Sequence, residues 1–261
     1  MAERRGVLVT GAGGRIGAAI ARKFAARGDH LVISDLDADK LESTLQSVSP
    51  IGGQVGAVPA DLSDEQTIEG LIARTIATLE TVDILVNCAG IFPNTLVVEM
   101  ETSEWDRVLA VNLRGPFLLS RAIARHMIAR QRAGSIINIS SSAGESARTG
   151  GAHYCGSKAA LNMLTKTMAI ELGPHRIRVN AVAPGLVLDD VLAQPIPADT
   201  HPYVKTLVAG IPLGRTGAPD DIANAVAFLC SDEAAWISGE IFGVNGGSMA
   251  GRTHLPPSST S

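Results

Sequence analysis

Tyr154 and Lys158, in the run Tyr154-Cys155-Gly156-Ser157-Lys158, stand four residues apart, so a helix through this segment puts a phenol and an ammonium on one face. That arrangement can make tyrosine an acid-base catalyst. A free phenol has a pKa of about 10, and bringing it near neutrality takes about three units, or about 4 kcal/mol of differential stabilisation of the phenolate. A neighbouring ammonium acts in the required direction.

A second constellation lies near the start of the chain. Thr10-Gly11-Ala12-Gly13-Gly14-Arg15-Ile16-Gly17 joins an apolar run to an amphipathic stretch. Glycines in such a turn let a pyrophosphate approach the backbone N–H groups at a helix start. The last glycine falls one residue later than in Gly-x-Gly-x-x-Gly. Asp35, followed by Leu36, ends the second apolar run 18 residues after Gly17, where a carboxylate can accept hydrogen bonds from the adenosine ribose hydroxyls. The same carboxylate repels a 2′-phosphate, since at about 4 Å and an effective dielectric near 20 each unit of like charge costs about 4 kcal/mol. Arg15 acts in the opposite sense, as a cation able to reach toward a phosphate. The balance points to NAD rather than NADP.

These groups need elements to position them. Val7 to Thr10, Leu31 to Ser34, Val55 to Val58, Ile84 to Val86, Ser135 to Ile139, Arg178 to Val182 and Ile241 to Val244 read as short, nearly continuous apolar strands. Amphipathic stretches separate them, among them Ile16 to Arg27, Glu65 to Leu79, Trp105 to Arg132, Tyr154 to Leu172 and Pro219 to Leu229. The alternation predicts an α/β protein: a single-domain, doubly wound Rossmann fold with a seven-stranded parallel sheet and helices on both faces. Ligands then bind at the strand C-terminal ends. The domain is expected over residues 1–250, with a mobile substrate loop about 186–217 that holds four of the 13 prolines and a weak helical pattern from Tyr203 to Ala209. Residues 251–261 lack apolar periodicity and read as a flexible tail.

Bulk properties exclude several function classes. With 22 basic and 26 acidic residues the net charge is −4 and no basic block stands out, so nucleic acid is not the expected partner. Aromatic residues make up only 3% of the chain, which argues against stacked bases. Cys88, Cys155 and Cys230 are odd in number and far apart, which argues against disulfides and zinc, and the six histidines show no metal spacing. Reduced thiols, no leader-like apolar segment and no 18-residue apolar stretch predict a cytoplasmic chain with a small-molecule substrate and no membrane partner.

The chain resembles the short-chain dehydrogenase/reductase family from Val7 to about Gly247, and looks closest to the 3-oxoacyl-(acyl-carrier-protein) reductase-like branch. The motifs occur in the family's order: Thr10-Gly11 to Gly17, Asp61-Leu62, Asn87-Cys88-Ala89-Gly90, Asn112, Ser140-Ser141-Ser142, Tyr154 to Lys158, and Pro184-Gly185. The resemblance selects Ser141, 13 residues before Tyr154, as the catalytic serine. It implies that Tyr154 is the general acid-base, that Ser141 holds the substrate oxygen, that Lys158 binds the nicotinamide ribose and lowers the tyrosine pKa, and that Asn112 helps organise a water relay. It also implies that Asp61 and Leu62 flank the adenine, that Asn87, Ala89, Gly90, Pro184 and Gly185 line the cofactor, and that Val187 offers backbone groups to the carboxamide. Family members usually form tetramers, through the helices represented here by Trp105 to Arg132 and Tyr154 to Leu172. The implied activity is hydride transfer between a nicotinamide cofactor and a secondary alcohol or ketone, of the EC 1.1.1 type. Alternatives are an NADPH-dependent 3-oxoacyl-(acyl-carrier-protein) reductase, with Arg130, Arg132 and Arg176 facing the carrier, and a non-catalytic nucleotide sensor.

The chain departs from the family pattern in places. Arg15 stands where a glycine is expected, leaving Gly13 and Gly14 to supply backbone freedom. Cys88 replaces an asparagine and should pack as a small hydrophobe. Asp189 replaces a threonine and adds charge to the loop. His153 could line the substrate mouth, Asn94, Glu145 and Arg148 could meet a polar substrate, and Trp236 is expected in the core or at a subunit contact.

Overall fold

The computed structural model describes residues 4–192 and 200–251. Seven strands form one sheet: β1 (Gly6–Thr10), β2 (His30–Ser34), β3 (Val55–Ala57), β4 (Ile84–Asn87), β5 (Gly134–Ile139), β6 (Ile177–Pro184) and β7 (Ile241–Val244). Their order is β3-β2-β1-β4-β5-β6-β7, and all neighbouring pairs are parallel. This is the Rossmann-type doubly wound sheet that the alternation predicts.

The central strands are apolar on both faces because helices cover both. Side chains alternate, so Val7 and Val9 join one buried cluster with Ile20, Phe24 and Val226, while Leu8 joins the other with Leu119, Ile123 and Met127. Helices α1 (Arg15–Ala25), α2 (Ala38–Val48) and α8 (Pro219–Leu229) supply the first cluster; α3 (Glu65–Leu79), α5 (Gly115–Ala129) and α6 (Ala152–Leu172) supply the second.

The stretch expected as one helix from Trp105 to Arg132 is divided. Helix α4 (Thr102–Leu109) passes through a wide π turn at Ala110–Arg114 into α5. Pro116 is the reason: it has no N–H to offer the Asn112 carbonyl, and the Gly115 N–H reaches back to the Ala110 carbonyl instead. The widened turn holds Asn112 fully buried.

Within the segment expected as a substrate loop, α7 spans Pro202–Ala209, matching the weak helical pattern there. Part of that loop (193–199) and all but the first residue of the expected tail lie outside the described residues. Trp236 is not a core residue: it is fully exposed beside the edge strand β7.

Candidate active site

Helix α6 carries both Tyr154 and Lys158 in its first two turns. Its N-cap, Gly151, offers no side chain, so the first amides need other partners. His153 supplies one: its Nδ1 accepts the Tyr154 backbone N–H at 2.8 Å, and its Nε2 meets Glu104 Oε1 of α4 at 2.9 Å. The ring is completely buried, so His153 does not face the substrate mouth and instead fastens the start of α6 to α4.

Lys158 is 4% exposed and donates to the Ile139 carbonyl at 2.7 Å. Burial pushes its pKa down to about 8. Its Nζ lies 5.9 Å from the Tyr154 ring centroid. Burial also pushes the Tyr154 phenol above its ordinary pKa, against the opposing pull of a hydrogen bond with Ser141 and the Arg148 guanidinium. The acidic phenol expected from sequence is therefore not a property of the chain alone, because the desolvation that surrounds the pair penalises phenolate more than these neighbours favour it.

The three consecutive serines point three ways. Ser140 Oγ donates to Asn162 Oδ1 and Ser142 Oγ donates to the Pro184 carbonyl, while Ser141 Oγ accepts the Ala143 N–H and borders the cleft with Tyr154. Arg148 lies over the opposite part of this site, its guanidinium carbon 5.0 Å from the Tyr154 ring centroid, and Phe92 contacts the same ring edge-on at 6.0 Å between centroids. Sequence reasoning had no signal for Phe92.

A cleft of about 1020 Å³ runs along the C-terminal ends of the strands. Of the residues expected around a dinucleotide, all but Asn87 line it; of the four expected catalytic residues, all but Asn112 do. Asn87 points into a buried polar network, donating to Ser120 Oγ and Asn138 Oδ1. Asn112 is held behind the wall, accepting the Ile91 N–H at 2.9 Å, donating to the Ile91 carbonyl at 2.8 Å and reaching Ser157 Oγ at 3.2 Å. Cys88 also borders the cleft, and burial raises its thiol to about 12, which keeps it protonated and unreactive.

The glycine turn differs from expectation in where its freedom is needed. Gly11 alone among its glycines has a positive φ, +67°, and a Cβ there would press on the Ala89 backbone at 2.6 Å. Gly13 is required for contact instead: its N–H donates to Asp35 Oδ2 at 2.9 Å, and a Cβ would strike that carboxylate. Asp35 Oδ1 accepts the Asp37 N–H at 3.0 Å. Arg15 begins α1 and donates to the Val187 carbonyl at 3.3 Å, and its Nε lies 3.6 Å from Asp189 Oδ2. The first turn of α1 has no side-chain cap, so its N–H groups suit a pyrophosphate, and the glycine contacts leave no side chain in the way. The residues present fit a nicotinamide dinucleotide.

The chain is similar to known proteins over nearly its whole length. The family profile described as enoyl-(acyl carrier protein) reductase matches residues 11–249. The chain is 35% identical to the 3-oxoacyl-(acyl-carrier-protein) reductase FabG of Thermotoga maritima, over 94% of this chain and 98% of that one. Among solved structures, the acetoin dehydrogenase YohF of Salmonella typhimurium superposes with a TM-score of 0.86 at 31% identity, covering 97% of this chain and 99% of its own. An NAD+-bound xylitol dehydrogenase gives 0.86 at 29% identity, covering 93% and 98%. The chain belongs to the short-chain dehydrogenase/reductase family and is an oxidoreductase that acts with a nicotinamide cofactor on CH–OH and keto groups of small molecules.

Proposed function

We propose that the chain interconverts a secondary alcohol and a ketone, with Tyr154 exchanging the proton, Ser141 holding the substrate oxygen, Lys158 binding the nicotinamide ribose and Asn112 keeping the Ile91 backbone and α6 in register. The placement of Ser141, Tyr154 and Lys158 together on the wall of the cleft carries this reading, because it brings a hydroxyl and a phenol to the end of the cleft where a substrate oxygen can sit. A bound dihydronicotinamide would supply the hydride for reduction; Tyr154 would give its proton to the substrate oxygen as the carbonyl π bond breaks, with Ser141 holding that oxygen. Oxidation reverses each transfer. Tyr154→Phe should retain cofactor binding and lose turnover about 10²- to 10⁴-fold. Comparable turnover in wild type and variant would remove the phenol from the reaction.

For the cofactor, NAD is favoured by Asp35, whose two oxygens are fixed by backbone N–H groups yet keep lone pairs for ribose hydroxyls. The NADPH-dependent acyl-carrier reading draws support from the resemblance to FabG, but Asp189 adds negative charge beside Arg15, the cation that would serve a 2′-phosphate. A homotetramer is supported by an outward apolar groove between α4, α5 and α6, lined by Leu109, Leu113, Phe117 and Leu164, and by the exposed Trp236. Residues 1–250 then act as one catalytic domain in the cytoplasm. Among the described residues no helix is long and apolar enough to cross a membrane.

A further inference from the structure

The substrate end of the cleft carries an unanswered positive charge. Arg148 borders the cleft beside Tyr154 and, among the described residues, pairs with no carboxylate; its one aromatic contact is the Tyr154 ring itself. Apart from Arg107, the other charged groups bordering the cleft have partners. Arg15 meets Asp189, Lys40 meets Asp37, Asp35 takes two backbone N–H groups, Asp61 takes the Ser63 N–H and hydroxyl, and Lys158 is bonded to the Ile139 carbonyl. Arg107 also makes no ion pair among the described residues, but it lies on the Asp61 side of the cleft, away from Tyr154, where its charge favours that carboxylate. A guanidinium left over at the reacting end is a bidentate fork with nothing in it.

We propose that Arg148 binds a carboxylate of the substrate, so that the substrates are keto and hydroxy acids whose acid group lies a few bonds from the reacting carbon. The proposal rests on the reading of Tyr154 as the proton donor. The distance sets the spacing: a guanidinium 5.0 Å from the ring centroid can hold an anion close to an oxygen that touches the same ring's hydroxyl. The charge favours a carboxylate over a phosphate monoester, since at the reacting end one unpaired cation matches one negative charge. The apolar rim of Phe92, Leu188, Leu207 and Met249 accommodates the hydrocarbon part.

The test compares 2-, 3- and 4-keto acids with their methyl esters, using NADH and NADPH, in wild type, Arg148→Gln and Arg148→Lys. For at least one chain position, wild type should prefer the acid over its ester by about tenfold or more in kcat/KM. Arg148→Gln should lower that ratio at least tenfold, and Arg148→Lys should retain part of it. The ratio cancels any general effect of the charge on Tyr154 or on folding. Esters reduced as well as their acids by wild type at every position, or an unchanged ratio in Arg148→Gln, would overturn the proposal; the wild-type comparison decides even if neither variant folds. Failure of the underlying reading looks different, with Tyr154→Phe keeping its turnover while the acid preference persists.

Discussion

Arg15 and Asp189 are joined across the mouth of the cleft, Nε to Oδ2 at 3.6 Å, and they occupy two of the positions where the chain departs from its family's pattern. One stands in the glycine turn, the other in the segment after β6. A glycine and a threonine at these positions could not make this contact, so the two departures complement each other. Both side chains are about half exposed or more, 46% and 66%, so the pair contributes less than about 1 kcal/mol and a ligand can displace it. Asp189 also places a negative charge near the path of a pyrophosphate. Asp189→Ala should therefore tighten NADH binding roughly two- to fivefold at low salt, with the gain shrinking as salt rises, and the gain should persist when Arg15 is also alanine. Fluorescence titration of NADH across the double-mutant cycle measures this; an Asp189→Ala variant that binds more weakly would contradict it.

Asp35 holds the glycine turn through the Gly13 and Asp37 N–H groups, and in the proposed function its charge also selects the cofactor. Removing its charge should raise the NADP-to-NAD ratio of kcat/KM by about tenfold, a value reduced from the full Coulomb repulsion because the carboxylate is only half buried. The lost acceptors for Gly13 and Asp37 should weaken binding of both cofactors together. Asp35→Asn separates the effects by keeping one acceptor. Steady-state kinetics with both cofactors is the measurement, and an unchanged ratio in Asp35→Ala would refute the role of the charge.

Lys158 should imprint a pH dependence on the ligand-free protein. Its pKa falls from 10.5 to about 8 on folding, a difference corresponding to about 3 kcal/mol. Because the folded value is the lower one, the unfolded chain binds more protons between pH 8 and 10.5. The destabilisation is present in full below the folded value and fades as pH rises through that window. The raised Tyr154 pKa works the other way, costing stability only above the ordinary phenol value of 10. Urea unfolding from pH 7.5 to 10 should thus show wild type gaining stability relative to Lys158→Met. Parallel curves would mean that the lysine is not buried as a cation.

The sheet was legible in the sequence because buried parallel strands are unbroken apolar runs, and six of the seven differ from expectation by at most one residue at each end, β6 extending two residues further, to Pro184. Helix α2 was not singled out; its buried face, Leu41, Thr44 and Val48 at i, i+3 and i+7, includes a polar threonine and so is a thin apolar stripe. Periodicity also could not reveal the π turn around Asn112, since a five-residue ladder follows from the missing N–H of Pro116 and not from the apolar pattern. Chemistry-bearing residues were found by their types and spacing. Their electrostatic state was not, since the acidity of Tyr154 depends on desolvation by the surrounding fold.

His153 shows how much of the site is held by a residue that does not border the cleft. Its fully buried ring gives Nδ1 to the Tyr154 N–H and Nε2 to Glu104, whose carboxyl is held below its ordinary pKa by hydrogen bonds from Thr95 and His153. Because Nδ1 accepts, the neutral ring carries its proton on Nε2 and donates to Glu104. His153→Ala leaves a buried N–H unpaired and opens a cavity, a combined cost of about 2–4 kcal/mol. Asparagine can restore the acceptor next to Tyr154, whereas glutamine can restore the reach to Glu104, so each should recover a different part of the stability measured in urea. Only the asparagine should recover kcat, since the acceptor fixes the backbone from which the phenol projects; KM should change little throughout. If His153→Ala unfolds within about 0.5 kcal/mol of wild type, the start of α6 is held by other contacts and the tie to α4 is incidental.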